Sequence, residues 1–495
     1  MSVSAPRRGG TTDPARLLAW EVLRAVDERG AYANLLLPAL LSGRRLSPRD
    51  RGFATELTYG SLRAQGTLDG VLDTVTSRPV ASVDPPVRDA LRLGAYQLLS
   101  TRVPPRAAVA STVDLVRATC GERPVRFANA VLRRVAARIE AAAGDIAVLL
   151  SAPDIAEDPA GHLAVVTAHP RWIVDVVLDA LGGDVAGAHA ALAANDTRPA
   201  VHLVARPGRI DAEALVAQAA SVGLGARRGA GSPYAVHLDG GDPGSLPAVA
   251  AGDASVQDEG SQLVTLALAS VPTIGRDTGL TVDLCAGPGG KAALLAALQA
   301  VGEPAETVRE PAAGGHRPPP ARLLALEPRA ARAGLVAASL AGFPAALAVR
   351  ADGRFPPVRP GMADRVLVDV PCSGLGALRR RPEARWRRTP ADVAALVPLQ
   401  RQLLVAALDL VRPGGAVAYV TCSPHPEETS EVVTAIAQQR GDVAILDARR
   451  CPPFAGPPFG DGAPGGLGDG PFVQLWPHLH GTDAMFLALL RRADR

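Results

Sequence analysis

The stretch "LTVDLCAGPGGKA", residues 280–292, decides the fold. "LTVDLC" is a short apolar run, glycines follow it, and good helix formers begin at Lys291. A buried strand that turns through glycine into a helix is half of a βαβ unit, and nucleotide-type cofactors sit at that turn. The pattern then repeats. "LLALE" leads to a helix near Arg329, "ALAVRAD" follows, "RVLVDV" precedes a long helix over 391–411, and "AVAYVTC" precedes another over 426–439. Strands alternating with helices predict a doubly wound, mostly parallel α/β sheet with ligands at the carboxyl ends of its strands.

The loop chemistry narrows the ligand. A P-loop needs glycine where Cys285 stands and Ser or Thr where Ala292 stands, so it is excluded. A dehydrogenase fingerprint needs a third glycine that Gly287, Gly289 and Gly290 do not supply at the right spacing. An S-adenosylmethionine loop fits better. Cys285, Ala286, Gly287, Pro288, Gly289, Gly290 and Lys291 would let the backbone approach the cofactor. Glu327 ends the next strand and could take the ribose hydroxyls, and Asp352 ends the third and could read the adenine. An ordinary strand-to-helix turn would use the same glycines. Against that reading stands Lys291, the one lysine among 52 basic residues. Lysine is a compact point charge where arginine is a wide planar fork, and a crowded cofactor loop favours the former.

Two further strand ends carry thiols. "VLVDVPCSG" puts Asp369, Pro371 and Cys372 at one, and "VAYVTCSPHPEE" puts Cys422 at the next. Two thiols beside a methyl donor suggest methylation at carbon 5 of a pyrimidine. A thiolate adding to carbon 6 makes carbon 5 nucleophilic, an acid such as Asp369 near N3 and the exocyclic amine stabilises the charge, and a base then removes the carbon 5 proton. The residues alone leave open which thiol attacks. Cys285 lies in the cofactor loop and packs there, and Cys120 and Cys451 have no chemical context.

The remaining sequence sets the organisation. At 495 residues, 47% hydrophobic and 20% charged, the chain supports several globular domains. Residues 1–13 read as a flexible tail. Residues 14–145 space apolar residues three and four apart in successive segments and predict an all-α domain. Residues 146–165 read as a linker, 166–255 as a small α/β RNA-binding module, and 256–495 as the catalytic domain with a Pro/Gly-rich insertion at 301–320. Residues 1–140 hold 21 arginines against 13 acids on a chain of net charge +3, which points to a polyanionic partner. The five cysteines show no C-x-x-C pairing, so no metal is expected. The first residues lack a signal-peptide core, and the longest uncharged apolar run, 333–349, falls short of a span. A soluble, cytoplasmic monomer is the expectation.

The set "VQDEGSQL", "DLCAGPGGK", "DVPCSGLGALRRRPEARW", "VTCSPHPEE" and "GTDAMF" resembles the Sun-type RNA cytosine-5 methyltransferases. The front, in "YANLLLPALL", "LSPRDRGFATELTYGSLR", "LRLGAYQLL" and "RFANAVLRR", resembles the NusB-like RNA-binding domain. Together they are similar to bacterial enzymes that methylate carbon 5 of cytosine in small-subunit (16S) ribosomal RNA. The resemblance implies S-adenosyl-L-methionine as cofactor, held by Cys285 to Lys291, Glu327, Asp352 and Asp369, and ribosomal RNA as partner. It implies Cys422 as the nucleophile and Cys372 as the thiol assisting product release. The sequence departs from the pattern at Gly287 and Ala292, where Ala and Thr are usual, and at Glu327, where Asp is common. The usual Asp-Gly-Phe-Phe is Asp483-Ala484-Met485-Phe486. The alternatives are the same chemistry on transfer RNA or another ribosomal site, and an RNA-binding factor with a silent methyltransferase domain.

"LRRRPEARWRR" follows the Pro-Cys motif directly. Arg379, Arg380, Arg381 and Arg385 are expected to hold phosphates there and Trp386 to stack on an unpaired base. A solvated basic turn is the plain alternative.

Overall fold

Seven helices realise the apolar spacing at the front of the chain in a computed structural model, which describes residues 12–302, 322–459, 466–468 and 470–493. They are α1 (Pro14–Arg29), α2 (Ala33–Ser42), α3 (Pro48–Arg63), α4 (Gln65–Asp73), α5 (Pro85–Ser100), α6 (Pro105–Cys120) and α7 (Val125–Ala141). Asp13 and Ser47 cap α1 and α3 by accepting main-chain N–H bonds from Arg16 and Asp50, each ahead of a proline in the first helical position. On α7, Ala128, Val131, Leu132 and Val135 are buried at helical spacing, while Arg126, Arg133, Arg134 and Arg138 stay exposed.

The helical part extends beyond the expected boundary. The stretch 146–165, expected as a linker, holds α8 (Ile146–Leu149) and most of α9 (Pro159–Val166). Next come α10 (Arg171–Ala180) and α11 (Val185–Ala194), both expected within the α/β module. By contacts, all four belong to a helical unit that runs to Arg198 and also includes Leu378–Arg388. The sequence hid α11 because "VAGAHAALAA" is small and apolar all round, so it shows no amphipathic period.

The second unit comprises Pro199–Ala377 and Thr389–Arg495. It opens with β1 (Val201–Ala205), α12 (Ala212–Ser221), β2 (Ala226–Arg228), β3 (Ala235–Leu238), α13 (Pro247–Ala251) and β4 (Ala254–Val256), forming a four-stranded antiparallel sheet in the order β2-β3-β1-β4. Helix α14 (Glu259–Ser270) leads into the larger sheet. Its elements are β5 (Leu280–Asp283), α15 (Gly290–Val301), β6 (Arg322–Leu326), α16 (Ala330–Leu340), β7 (Ala346–Val349) and β8 (Ala363–Asp369). The chain then gives the helical unit its segment 378–388, with the one-turn helix α17 (Ala384–Arg387). It returns through α18 (Pro390–Leu410), β9 (Val411–Thr421), α19 (Ser430–Arg440), β10 (Val443–Leu446), β11 (Val473–Gln474), α20 (Pro477–His480) and β12 (Phe486–Arg492).

The strand order is β10-β12-β9-β8-β5-β6-β7, with β11 paired to β12. Strands β9, β8, β5, β6 and β7 run parallel, and β12 runs antiparallel to both its neighbours, β9 and β10. Most of the 301–320 insertion lies outside the described residues. Helix α18 begins at a capping box of Thr389 and Asp392 and is the one described helix long and apolar enough to cross a membrane. It buries Leu403, Leu404, Ala407 and Leu408 in a core shared with Val366 and Val368 of β8.

Register fixes where the site falls. Asp283 lies opposite Leu367, Asp369 opposite Val420, and Thr421 opposite Phe486. The carboxyl ends of β5, β8 and β9 therefore open side by side, with Cys372 three residues beyond β8 and Cys422 one beyond β9.

Candidate active site

The glycine loop leaves β5 at Asp283, whose Oδ1 accepts the main-chain N–H of Cys285 at 3.1 Å. Its other carboxyl oxygen is buried with no protein partner. Burial, and then the nearby Asp369 charge, push the Asp283 carboxyl up to about 7. Burial and the surrounding carboxylates raise the Cys285 thiol well above its ordinary range, which keeps it neutral.

Gly287 and Glu327 are sterically coupled. A Cβ added at Gly287 would lie 2.1 Å from the Glu327 Oε2. Glu327 is buried, accepts the Arg329 N–H at 2.9 Å and pairs with Arg332 at 3.4 Å, so it cannot swing freely away. The longer acid at 327 takes the room that an alanine methyl at 287 would need.

Lys291, in the first turn of α15, donates to Asp369 Oδ2 at 2.7 Å. Burial works against its charge, but Asp369 outweighs burial and holds the ammonium above its usual range. The pair joins the glycine loop to the end of β8. Asp352 is more exposed and pairs with Arg354 at 2.6 Å, which lowers its carboxyl below the usual range.

The two thiols meet. Cys372 Sγ lies 3.3 Å from Cys422 Sγ. The hydrogen bond with Cys422, then burial and the charges of Cys422, Glu428 and Asp369, raise the Cys372 thiol well above its ordinary value. Gly376 threads between the segments: its N–H donates to Cys422 O and its carbonyl accepts the Ala484 N–H, both at 2.9 Å. A Cβ there would fall 2.0 Å from the Ala484 carbonyl, so "PCSGLG", "TCS" and "GTDAMF" converge only because residue 376 is glycine. Asp258 of "VQDEGSQL" accepts the Asp483 N–H at 3.2 Å and tethers the same C-terminal loop. Among the described residues, no cluster of His, Cys, Asp and Glu could hold a metal ion.

The arginine segment is placed differently from the phosphate-binding expectation. Arg385 is fully buried inside the helical unit. Its guanidinium donates to the carbonyls of Arg63 and Ala168, both at 3.0 Å, and to Asp196 at 2.9 Å. Arg387 donates to the carbonyls of Val26, Gly30 and Ala31. The two side chains cap the ends of α1, α3 and α9, where helices leave unpaired carbonyls. Trp386 packs its ring over Gly66. Arg385 is thus a structural anchor buried away from any phosphate, while Trp386, half-buried, packs part of its ring into the same unit. Arg381 stands over the Tyr32 ring at 5.5 Å, Arg379 is buried, and Arg379 and Arg380 are both engaged by protein groups. Sequence reasoning also missed Ser373, Gln400 and Glu428, which surround Cys372.

A doubly wound sheet with a glycine loop, paired strand-end thiols and an all-helical front defines a Rossmann-like methyltransferase joined to a NusB-type domain. Residues 316–491 match the family described as 16S rRNA methyltransferase RsmB/F, and residues 13–137 match the NusB family. A Mycobacterium tuberculosis protein named as a methyltransferase is 52% identical over 488 residues, covering 98% of both chains. The ribosomal RNA small subunit methyltransferase B of Sodalis glossinidius is 31% identical over 460 residues, 90% of this chain and 95% of that one. The crystal structure of PH0851 shares the fold at a TM-score of 0.74 and 20% identity, covering 98% of this chain and all of the other. The chain belongs to the ribosomal RNA small subunit methyltransferase B family, whose members are RNA methyltransferases.

Proposed function

We propose that the protein transfers a methyl group from S-adenosyl-L-methionine to carbon 5 of a cytosine in 16S ribosomal RNA, through a covalent adduct with its own thiol. The observation that carries this reading is the 3.3 Å approach of two cysteine sulfurs at adjacent strand ends, above the Lys291–Asp369 pair.

The loop suits the cofactor. Gly287 leaves bare backbone against Glu327, one Asp283 oxygen is buried without a partner, and carboxylates stand beyond β5, β6, β7 and β8. Residues Cys285 to Lys291 would cradle it, with Glu327 on the ribose and Asp352 on the base edge. When bound, the sulfonium supplies an electrophilic methyl group.

The remaining chemistry falls to this chain. The Cys422 thiolate adds to carbon 6, and the electron pair displaced to carbon 5 takes the methyl. Asp369, held by Lys291, faces N3 and the exocyclic amine, accepting the amine N–H while N3 takes up a proton that neutralises the charge pushed into the ring. Loss of the carbon 5 proton to a base on the Cys372 side re-forms the 5,6 double bond, the C6–S bond breaks, and its electrons return to Cys422. The target cytosine must leave any stack to reach the sulfur, which favours a loop or bulge. The basic stripe on α7 would add salt-dependent RNA affinity, and the enzyme would act as a monomer in the cytoplasm.

The test incubates the protein with radiolabelled S-adenosylmethionine and either protein-free small-subunit rRNA or transfer RNA, comparing wild type with Cys422→Ala and Cys372→Ala. Label at carbon 5 of cytosine in wild type, none with Cys422→Ala and a trapped RNA adduct with Cys372→Ala are expected. Label on transfer RNA alone would overturn the substrate, and cofactor and RNA binding without label would overturn the enzymatic reading.

A further inference from the structure

Each catalytic-site cysteine is followed by a serine, and one buried acid ties the two loops together. Glu428, in the turn after β9, is fully buried. Its Oε1 accepts the Ser373 main-chain N–H at 2.7 Å and the Gln400 amide at 3.0 Å, and its Oε2 accepts the Ser373 hydroxyl. Gln400, on α18, uses the same amide nitrogen to hold the Pro371 carbonyl at 2.9 Å. The Ser373 and Ser423 hydroxyls lie 3.2 Å apart, and Tyr419 Oη donates to the Glu428 carbonyl at 2.8 Å.

The peptide on both sides of Cys372 is therefore gripped, by Gln400 at Pro371 and by Glu428 at Ser373. A fully buried carboxylate is a costly way to fix a loop. An amide would satisfy fewer of these donors but would avoid burying a charge. What the carboxylate adds is a negative charge that bears on Cys372 and raises its thiol. The Lys291 ammonium, by contrast, gains from the Cys422 sulfur. The two sulfurs, chemically alike, stand in unlike surroundings.

We propose that Glu428 is a positioning residue that holds Cys372 over the adduct for product release, and so makes Cys372 the releasing thiol and leaves Cys422 to attack. This rests on the two-thiol reading above. Glu428 touches neither substrate nor cofactor in this role and acts through the Cys372 loop.

The test follows two quantities under single-turnover conditions with labelled S-adenosylmethionine and small-subunit rRNA: methylated product released, and RNA covalently held by protein on a denaturing gel. For Glu428→Gln, released product should fall by roughly 100-fold while the held fraction rises above wild type, because a misplaced releasing group costs about that much. A merely structural role would lower both quantities together, and that result would overturn the proposal, as would wild-type behaviour. Cys372→Ala in parallel separates the two readings: if it holds no RNA, the two-thiol chemistry has failed whatever Glu428 does. Should Glu428→Gln not fold, Gln400→Leu removes the grip at Pro371 from the other side. It should also raise the held fraction, and an unchanged fraction in that variant would overturn the proposal.

Discussion

Lys291 and Arg385 are both cations taken out of water, and the chain uses them in opposite ways. Arg385 turns one guanidinium nitrogen, Nη1, to two peptide carbonyls and Asp196, so that end of its charge is taken up by helix ends. Lys291 presents a point charge to one carboxylate, Asp369, at the junction of the cofactor loop and the thiol loop. The difference teaches that a buried cation is read from the acceptors around it: peptide carbonyls mark an anchor, while a carboxylate beside two thiols marks a working site.

The sharpest way to break the comparison is Arg385→Ala. It leaves the carbonyls of Arg63 and Ala168 unpaired and removes the partner of the partly exposed Asp196, and should cost about 1–3 kcal/mol in denaturant unfolding. Arg385→Lys should recover part of this, since the three acceptors converge on one guanidinium nitrogen and an ammonium also carries three donors. If instead RNA affinity falls and stability holds, the anchor assignment is wrong.

Lys291→Met should do the reverse, lowering turnover by roughly 100–1,000-fold with the unfolding curve nearly unmoved. Lys291→Arg should weaken cofactor binding measurably, and unchanged affinity would make the lone lysine an accident of composition.

A smaller effect sharpens the loop itself. Gly287→Ala should weaken cofactor binding in the presence of Glu327 and recover when combined with Glu327→Asp, with a coupling of about 1–2 kcal/mol in a double-mutant cycle. Additive effects would mean that the two departures from the family pattern are unrelated.

A further effect is a pH slope. The Asp283 carboxyl, at about 7 in the folded chain, lies above its unfolded value of about 3.9. Between these values the folded protein holds the extra proton, so this group's contribution to stability falls as pH rises from about 4 to 7 and is flat beyond. The loss is at most about 1.4 kcal/mol per pH unit. Asp283→Asn should remove that slope, and identical stability profiles for the two proteins would refute it.

These contrasts also mark what was legible in the sequence. The doubly wound sheet showed because strands and helices alternate with turns between them, and Cys372 and Cys422 showed because each ends a strand beside proline or serine. Arg385 and Trp386 misled because an arginine facing carbonyls and one facing phosphate are the same letter in the same run, and only tertiary packing separates them. Glu428 was invisible for a related reason: "PEET" reads as acids at a helix start, and its donors come from Ser373 and Gln400, 55 and 28 positions away. Lys291 stood out through rarity, which needs no structure to notice.

The segment Leu378–Arg388 has a practical consequence for anyone dividing this protein. Its sequence neighbours on both sides fold with the sheet, yet it completes the helical unit. No single cut then yields two whole domains. A fragment ending at Arg198 lacks its own keystone, and one starting at Pro199 carries a borrowed strip of arginine and tryptophan with its lodging gone. Gene truncation should give two poorly behaved halves, and a synthetic peptide spanning 378–388 is the missing piece that should rescue the first.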